Sequence, residues 1–569
     1  MQASDDLMVQ GVQSKVDNES GSGTAASHLS QPTLASYMGK PYTPQSARAR
    51  SINRGLAEFI VRDQRPVSLI EGDGFRDFVK LLDPRYEVIS RNTCMERYIV
   101  PLYQLTGNEL KYDLAKAQSH SFTTDAWTNK KMQSFITTTV HYIDPDTFEL
   151  KKFVLDTNHI TERHTAEMLC RHMEDSEERW QLRNVTGVSD NASNITSAFQ
   201  KHGIPHIGCF AHTINLAVCK GLEIDQVKRL SGKVRTLITT FKHSYLKTED
   251  LHQNQKLLDL KELQLVQDVA TRWNSVFYMF DRLLAVYPAV YASLYNSSHS
   301  HLLLNDEERK ILEQLCALLA PFEKATRMIS QEKQPTAGLI LPYQENFVNK
   351  KLVDNQEDIP VVKRVKKAIK TDLEKRYADP TTRKLLSTTC ALDPRVRTLD
   401  WMPEADKTAV YNELERLCIS LSPKDDEVRN PEKRIHVQDD DDLDGLICVS
   451  SPDDETLEGE DLLESVRKEL DAYKQEKSFG LKYYDSMAWW SKNQHKYPCL
   501  TRVMLNYLHI PGSSVSSERV FSTAGNLYIK RLHLTPDNAN IFIFLYHNYN
   551  QFKMAVHAKW ASVESFNDN

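Results

Sequence analysis

Apolar residues three and four apart in LAEFIVRD, FRDFVKLL and CMERYIVPLYQL predict a small helical domain over residues 51–118. The stretch before it, 1–50, is rich in Ser, Gly, Gln and Thr without apolar periodicity and reads as a disordered lead. The period then changes. SFTTDAW, FITTTVHYI and KKFVLDTN carry β-branched residues with partial alternation, the pattern of an antiparallel meander. A helix from about Thr165 to Trp180 follows, and NVTGVSD and IPHIGCF read as two further strands separated by a short helix after Asn191. Residues 119–215 are thus the first part of an α/β core, with Asp125 on its first strand and Asp190 at the end of its fourth. Long amphipathic segments with few strand signals make 216–422 an all-helical insertion. Acid without periodicity makes 423–465 a disordered loop. Helical patterning returns over 466–569, where LTPDNANIFIFLYHNY opens with Thr535 as N-cap and Pro536 at the first helical position.

Composition adds a few constraints. At 569 residues the chain exceeds one compact domain, and 40% hydrophobic residues suffice for a sizeable core. No run approaches a membrane helix, and MQASDDLMVQ lacks the basic and apolar regions of a secretory leader, so neither membrane nor secretion is expected. The nine cysteines are scattered singly, as in a reducing compartment. The net charge of −6 weighs against a nucleic-acid partner only on average. Much of the acid lies in Asp439–Glu464, whereas KRVKKAIK from Lys363 and the Arg48–Arg54 neighbourhood are basic. Local basic faces on a near-neutral body bind phosphate in a salt-dependent way.

Three carboxylates end recognisable local patterns: Asp125 in FTTDAWT, Asp190 in VTGVSDNASN and Glu518 in GSSVSSERVFSTAGN. Two follow strands and the third sits just inside a Ser-capped helix start, so the three elements can converge hard oxygen ligands. Two magnesium ions held in this way serve in-line phosphoryl chemistry. Individually each acid also has a plain reading: a turn aspartate, an N-cap before Asn191, an acid at a helix N-terminus.

With HIGCFAHTINL and TRWNS between them, these motifs resemble, in order, the hAT superfamily of transposases and the zinc finger BED domain-containing proteins descended from it. The resemblance runs from about Phe122 to Tyr549. It implies an α/β fold with an RNase H-like core, a large all-helical insertion, and completion of the core together with a C-terminal dimerisation segment over 466–569. It also implies a catalytic, Mg2+-binding triad of Asp125, Asp190 and Glu518, and a nuclear, DNA-binding homodimer. Two functions fit: a domesticated transcriptional regulator, or an active transposase that cleaves and transfers DNA strands. The family's finger needs a Cys-x-x-Cys pair before the core. The first cysteine here, Cys94, has no such partner, so that module and its zinc are not expected in this chain.

Cys209 and His212 have the spacing of half a zinc site but no second pair nearby, so no structural zinc is expected. They are either a buried thiol and satisfied histidine or, as in the family, DNA-organising residues. Trp273 lies at core spacing with Val276, Phe277 and Phe280, while the family turns this tryptophan toward the catalytic pocket, where it can stack on a base and Arg272 can meet a phosphate. Leu446–Val449, flanked by acid, has the form of a small-modifier interaction motif, or is simply an apolar patch in a loop. The dimer surface is expected at Phe542, Phe544, Leu545 and Tyr549. Ile541, Phe544 and Leu545 can serve their own core, which leaves Phe542 and Tyr549 for another surface.

Overall fold

The computed structural model describes residues 40–129, 132–269, 272–422, 454–476, 485–530 and 535–566. Leu446–Val449 lies outside them, as does residues 1–39 of the N-terminal lead. Two compact units form, the smaller from described residues 40–56 and 68–91, the larger from 57–67 and 92 onward. Helix α1 (Ala47–Arg62) begins inside the stretch read as a lead and has residues 47–56 in the smaller unit and 57–62 in the larger, and helix α2 (Asp73–Leu82) lies in the smaller. The unit is tied by Tyr42 N–H to Arg85 O at 2.9 Å and by Tyr86 OH to Asn53 Oδ1 at 2.6 Å. Helix α3 (Val100–Leu114) belongs to the larger unit. The single helical domain expected over 51–118 is therefore divided, because α3 buries Leu102, Leu110 and Leu114 within the larger unit.

The larger unit holds a mixed five-stranded sheet in the order β3-β2-β1-β4-β5. Its strands are β1 (Ser121–Thr128), β2 (Ser134–Ile143), β3 (Leu150–Ile160), β4 (Thr186–Ser189) and β5 (His206–Gly208). The first three pair antiparallel, and β1–β4 and β4–β5 pair parallel. Helix α4 (Ala166–Trp180), capped by Thr165, lies between β3 and β4, and α5 (Ser193–His202) between β4 and β5. Phe122, Ile136, Leu169, Met173, Ile195 and Phe199 form a core with these two helices. Strand β2 is buried along nearly its whole length, polar positions included. Its threonines are satisfied across strands, Thr139 with Thr123 at 2.6 Å and Thr137 with Thr157 at 3.2 Å.

Helices α6 (Phe210–Leu222), α7 (Asp225–Lys242), α8 (Trp273–Leu294), α9 (Asp306–Ile329) and α10 (Pro360–Leu373) make the helical body. Its core continues into α11 (Asp454–Gln475) and α12 (Pro498–Tyr507) through Val466, Leu470, Tyr473 and Leu500. The acidic loop expected to reach residue 465 thus ends by Asp454, where a helix begins whose Leu462 and Val466 pack on that core. Deleting Asp439–Glu464 is therefore expected to lower the melting temperature, since half of α11 goes with it; a thermal scan checks this.

Helices α13 (Val515–Lys530) and α14 (Pro536–Phe566) close the chain. Side chains on α14 cover the edge of β3: Val154 N–H donates to Asn548 Oδ1 (3.0 Å), Asn548 Nδ2 donates to Val154 O (2.6 Å), and Thr157 N–H donates to Asn540 Oδ1 (2.8 Å). This docking corrects the expected dimer surface. Phe542, Phe544, Leu545 and Tyr549 are all buried within the chain, Tyr549 at 0% exposure. Phe544 lies against Trp180 at 5.6 Å and Tyr103 at 4.9 Å. A helix between a sheet edge and α3 has two apolar sides, so the surplus apolar surface is spent inside one chain.

Burial also holds four histidines neutral, with pKa near 3 for His141 and His509 and near 4 for His206 and His547. The unfolded chain binds these protons first, so their contribution to stability is lost as pH falls from about 6.5 toward those values. Thermal scans across that window should show a falling melting temperature, blunted in His141→Asn/His509→Asn.

Candidate active site

The register of the sheet places the first two carboxylates. Thr124 of β1 is opposite Ser189 of β4, and the strands run parallel, so Asp125 and Asp190 each stand one residue beyond that last pair, although β1 itself runs on to Thr128 along β2. Asp190 Oδ1 accepts from Ala192 N–H at 3.2 Å, and Asp125 Oδ1 from Ala126 N–H at 2.8 Å. Asp125 itself is half-buried.

Glu518 arrives from the far end of the sequence on the first turn of α13. Three bonds fix that turn. Ser517 Oγ meets Thr123 Oγ1 at 2.5 Å, two residues before Asp125 on β1. Ser514 N–H donates to Cys209 Sγ at 3.3 Å, and Phe210 N–H donates to Gly512 O at 3.0 Å. A Cβ on Gly512 would stand 2.7 Å from Ile329 Cγ1 and 2.9 Å from Thr336 O, so only glycine allows this approach. Behind the turn, Glu332 pairs with Arg519 and with Lys152 of β3, each at 2.8 Å.

Asp125 feels the other two acids. The Asp125 carboxyl is pushed up to about 8, first by burial and then by the charges of Glu518 and Asp190. Among the described residues, however, no three His, Cys, Asp or Glu side chains lie close enough to hold a metal ion. The acids share an electrostatic neighbourhood and supply the donors a hard cation takes, without forming one coordination sphere.

An open cleft of about 670 Å³ lies alongside, lined by His212, Asn215, Arg272, Trp273, Arg327, Glu518 and Arg519 among others. Arg272 is 74% exposed, with a guanidinium nitrogen 4.0 Å from Glu518. Trp273 is 2% exposed, caught in the core as its spacing allowed, yet it also lines the cleft, and its Nε1–H has no partner among the described residues. His212 lines the cleft as well.

Cys209 does not. It is fully buried, its thiol accepts N–H bonds from His212 and Ser514, and burial raises its pKa. The expectation that Cys209 contacts DNA is replaced by a structural role, joining α6 to the turn that carries Glu518. Sequence reasoning also missed Ser517, Arg327 and Arg519. Ser517 is the second serine of SSERVF, and its place one residue before Glu518 was the available signal; Arg327 carries no local pattern.

Comparison with known proteins matches these regions. The hAT family C-terminal dimerisation region fits residues 469–549, and the ZBED1 RNase-like helical domain fits residues 207–318. The chain is 26% identical over 517 residues to an AC transposase of Zea mays, covering 82% of this chain and 61% of that protein. It is 24% identical over 583 residues to zinc finger BED domain-containing protein 6 of Mus musculus, covering 93% and 58%. A protein of Talaromyces stipitatus described as a transcriptional regulator is 24% identical over 534 residues, covering 84% and 60%. The chain spans about three fifths of the length of these relatives. Two matched regions, one holding Trp273 and the other Glu518, and relatives of both kinds identify the chain as related to the hAT transposases and the zinc finger BED domain-containing proteins.

Proposed function

We propose that the protein is a DNA-binding homodimer that acts in the nucleus as a transcriptional regulator, on an RNase H-like core kept from a transposase ancestor. The strand order β3-β2-β1-β4-β5, with Asp125 within β1 where its parallel pairing to β4 ends and Asp190 just past the carboxyl end of β4, supports that core. The dimerisation region at 469–549 supports the dimer. The observation that carries the DNA reading is the cleft, which three arginines line: Arg272 near Glu518, Arg327 paired with Glu323 and Arg519 paired with Glu332. Planar guanidinium groups suit phosphate oxygens, and their charge gives a salt-dependent affinity. Fluorescence anisotropy with a 30-bp duplex, combined with light scattering, tests it. Two chains per complex and an affinity that falls steeply with salt are expected; a monomer with no salt-dependent binding would overturn the proposal.

A second reading, an active DDE transposase, is favoured by one observation, the effect of Glu518 and Asp190 on Asp125. On this reading Asp125, Asp190 and Glu518 would have to draw closer than they stand to hold the divalent cations, which would supply charge neutralisation at a transferring phosphoryl group. Trp273 and Arg272 would orient the strand. Nicking of supercoiled plasmid with Mn2+, lost in Glu518→Gln, would decide for this reading; no nicking by wild type decides for the regulator.

A further inference from the structure

We infer that the outward faces of α10, the end of α6 and the start of α7 form a second surface for nucleic acid, one that holds the phosphate backbone of a duplex. The inference rests on the nucleic-acid reading above but on other residues. Its seed is the basic run KRVKKAIK, which the cleft does not use.

Folding sorts that run. Val361, Val362, Val365, Ile369 and Leu373 are buried, and Lys366 is drawn inward to Asp358 and to the carbonyl of Val353. Arg364 and Lys367 are left exposed and Lys363 half-buried, on the outward side of the helix. Side chains at i and i+4 lie about 5–6 Å apart there, a spacing that lets neighbouring cations reach neighbouring phosphates.

Two contacts bring further cations to the same face. Gly221 near the end of α6 lets the helices touch: a Cβ there would lie 2.9 Å from Val365 and 3.0 Å from Ile369. Lys220, exposed, is its neighbour. Arg364 also donates to Gln226 Oε1 on the first turn of α7, three residues before the exposed Arg229. Among the described residues, Lys220, Arg229, Lys363 and Lys367 are in no ion pair, while Lys228 is matched by Glu223 and Lys370 by Glu374. Asp225, exposed at the start of α7, Glu223 near Lys220 and Asp358 near Lys363 offset part of this charge, and the face keeps a net positive excess.

Chemistry selects the partner. Single strands are held by exposed aromatic platforms as well as charge, and the aromatic residues of α6 and α7, Phe210 and Phe241, are buried while α10 has none. Cations without stacking partners suit duplex phosphates. The surface also stands apart from the cleft, since Lys220 is eight residues along α6 from His212, roughly 12 Å at helical rise.

The test compares wild type with Lys363→Ala/Arg364→Ala/Lys367→Ala by anisotropy on a 30-bp duplex and its single strand, from 50 to 200 mM salt. The variant should lose at least tenfold in duplex affinity, and its slope of log K against log salt should shrink by about 2 to 3, near 0.9 for each contact removed. Unchanged circular dichroism shows that it folds, and the charge-preserving Lys363→Arg/Arg364→Lys/Lys367→Arg should restore both values. A variant with the wild-type slope, or one whose loss is confined to the single strand, overturns the surface while the nucleic-acid reading stands. A wild type without salt-dependent binding overturns that reading itself.

Discussion

Replacing Phe542 and Tyr549 together by Asp unfolds the protein instead of releasing a folded monomer. Both side chains are buried within the chain, at 1% and 0% exposure, on the helix that also covers the edge of β3. Removing a buried aromatic ring costs about 3–5 kcal/mol. Each new carboxylate adds a penalty of several kcal/mol for a buried charge without a partner. Against a net stability of roughly 5–15 kcal/mol, two such changes leave no native state. Far-UV circular dichroism and light scattering should report an unfolded or aggregated species. Tyr549→Phe is the milder control, since it keeps the ring and gives up the hydroxyl bond to His557 Nε2 at 2.9 Å, worth about 1 kcal/mol. A folded monomer from the double variant would return these residues to the dimer interface.

Asp125→Asn is expected to stabilise the protein at neutral and alkaline pH, which few changes of a buried polar residue do. The Asp125 carboxyl has its pKa raised from 3.8 to about 8, by burial and then by Glu518 and Asp190. With the folded value above the unfolded one, the native state holds this proton more tightly. The stabilising contribution is present in full below about pH 4 and is lost as pH rises through about 8. The amide has no charge to accommodate and removes the slope. Allowing for solvent screening in an open site, the gain at pH 8–9 is on the order of 1–3 kcal/mol. Thermal scans from pH 5 to 9 should show wild type and variant diverging as pH rises. Parallel curves would mean that Asp125 is an ordinary solvated acid.

Much of this site was legible because its parts are local. The β-branched runs around Asp125 and Asp190 and the turn before Glu518 carry their own signals, so each acid could be placed on its element without knowing the others. Parallel pairing of β1 with β4 then sets Asp125 beside Asp190, a consequence of topology already implied by strand order. The failures share a different cause. Whether Phe542 points into its own chain depends on β3, nearly four hundred residues away in sequence, whose edge the asparagines of α14 satisfy. Helical periodicity reports that a face is apolar without saying what covers it. For Cys209 the sequence left two readings open for the same reason, since the bond that favours the buried thiol comes from Ser514, 305 residues away. The acidic composition of Asp454–Glu464 hid a helix whose Leu462 packs on the helical core.

The reading in which Asp125, Asp190 and Glu518, neighbours in charge as they stand, draw together on one cation is tested most directly by Mn2+ binding, followed by electron paramagnetic resonance of the free ion at pH 7.5. Wild type should bind Mn2+, and Asp125→Asn, Asp190→Asn and Glu518→Gln, each folded by circular dichroism, should each lose most of that binding, because a shared site fails when any one donor is removed. Mn2+ binding that is absent in wild type, or that survives in Glu518→Gln, would contradict the account and leave three acids that are neighbours in charge only.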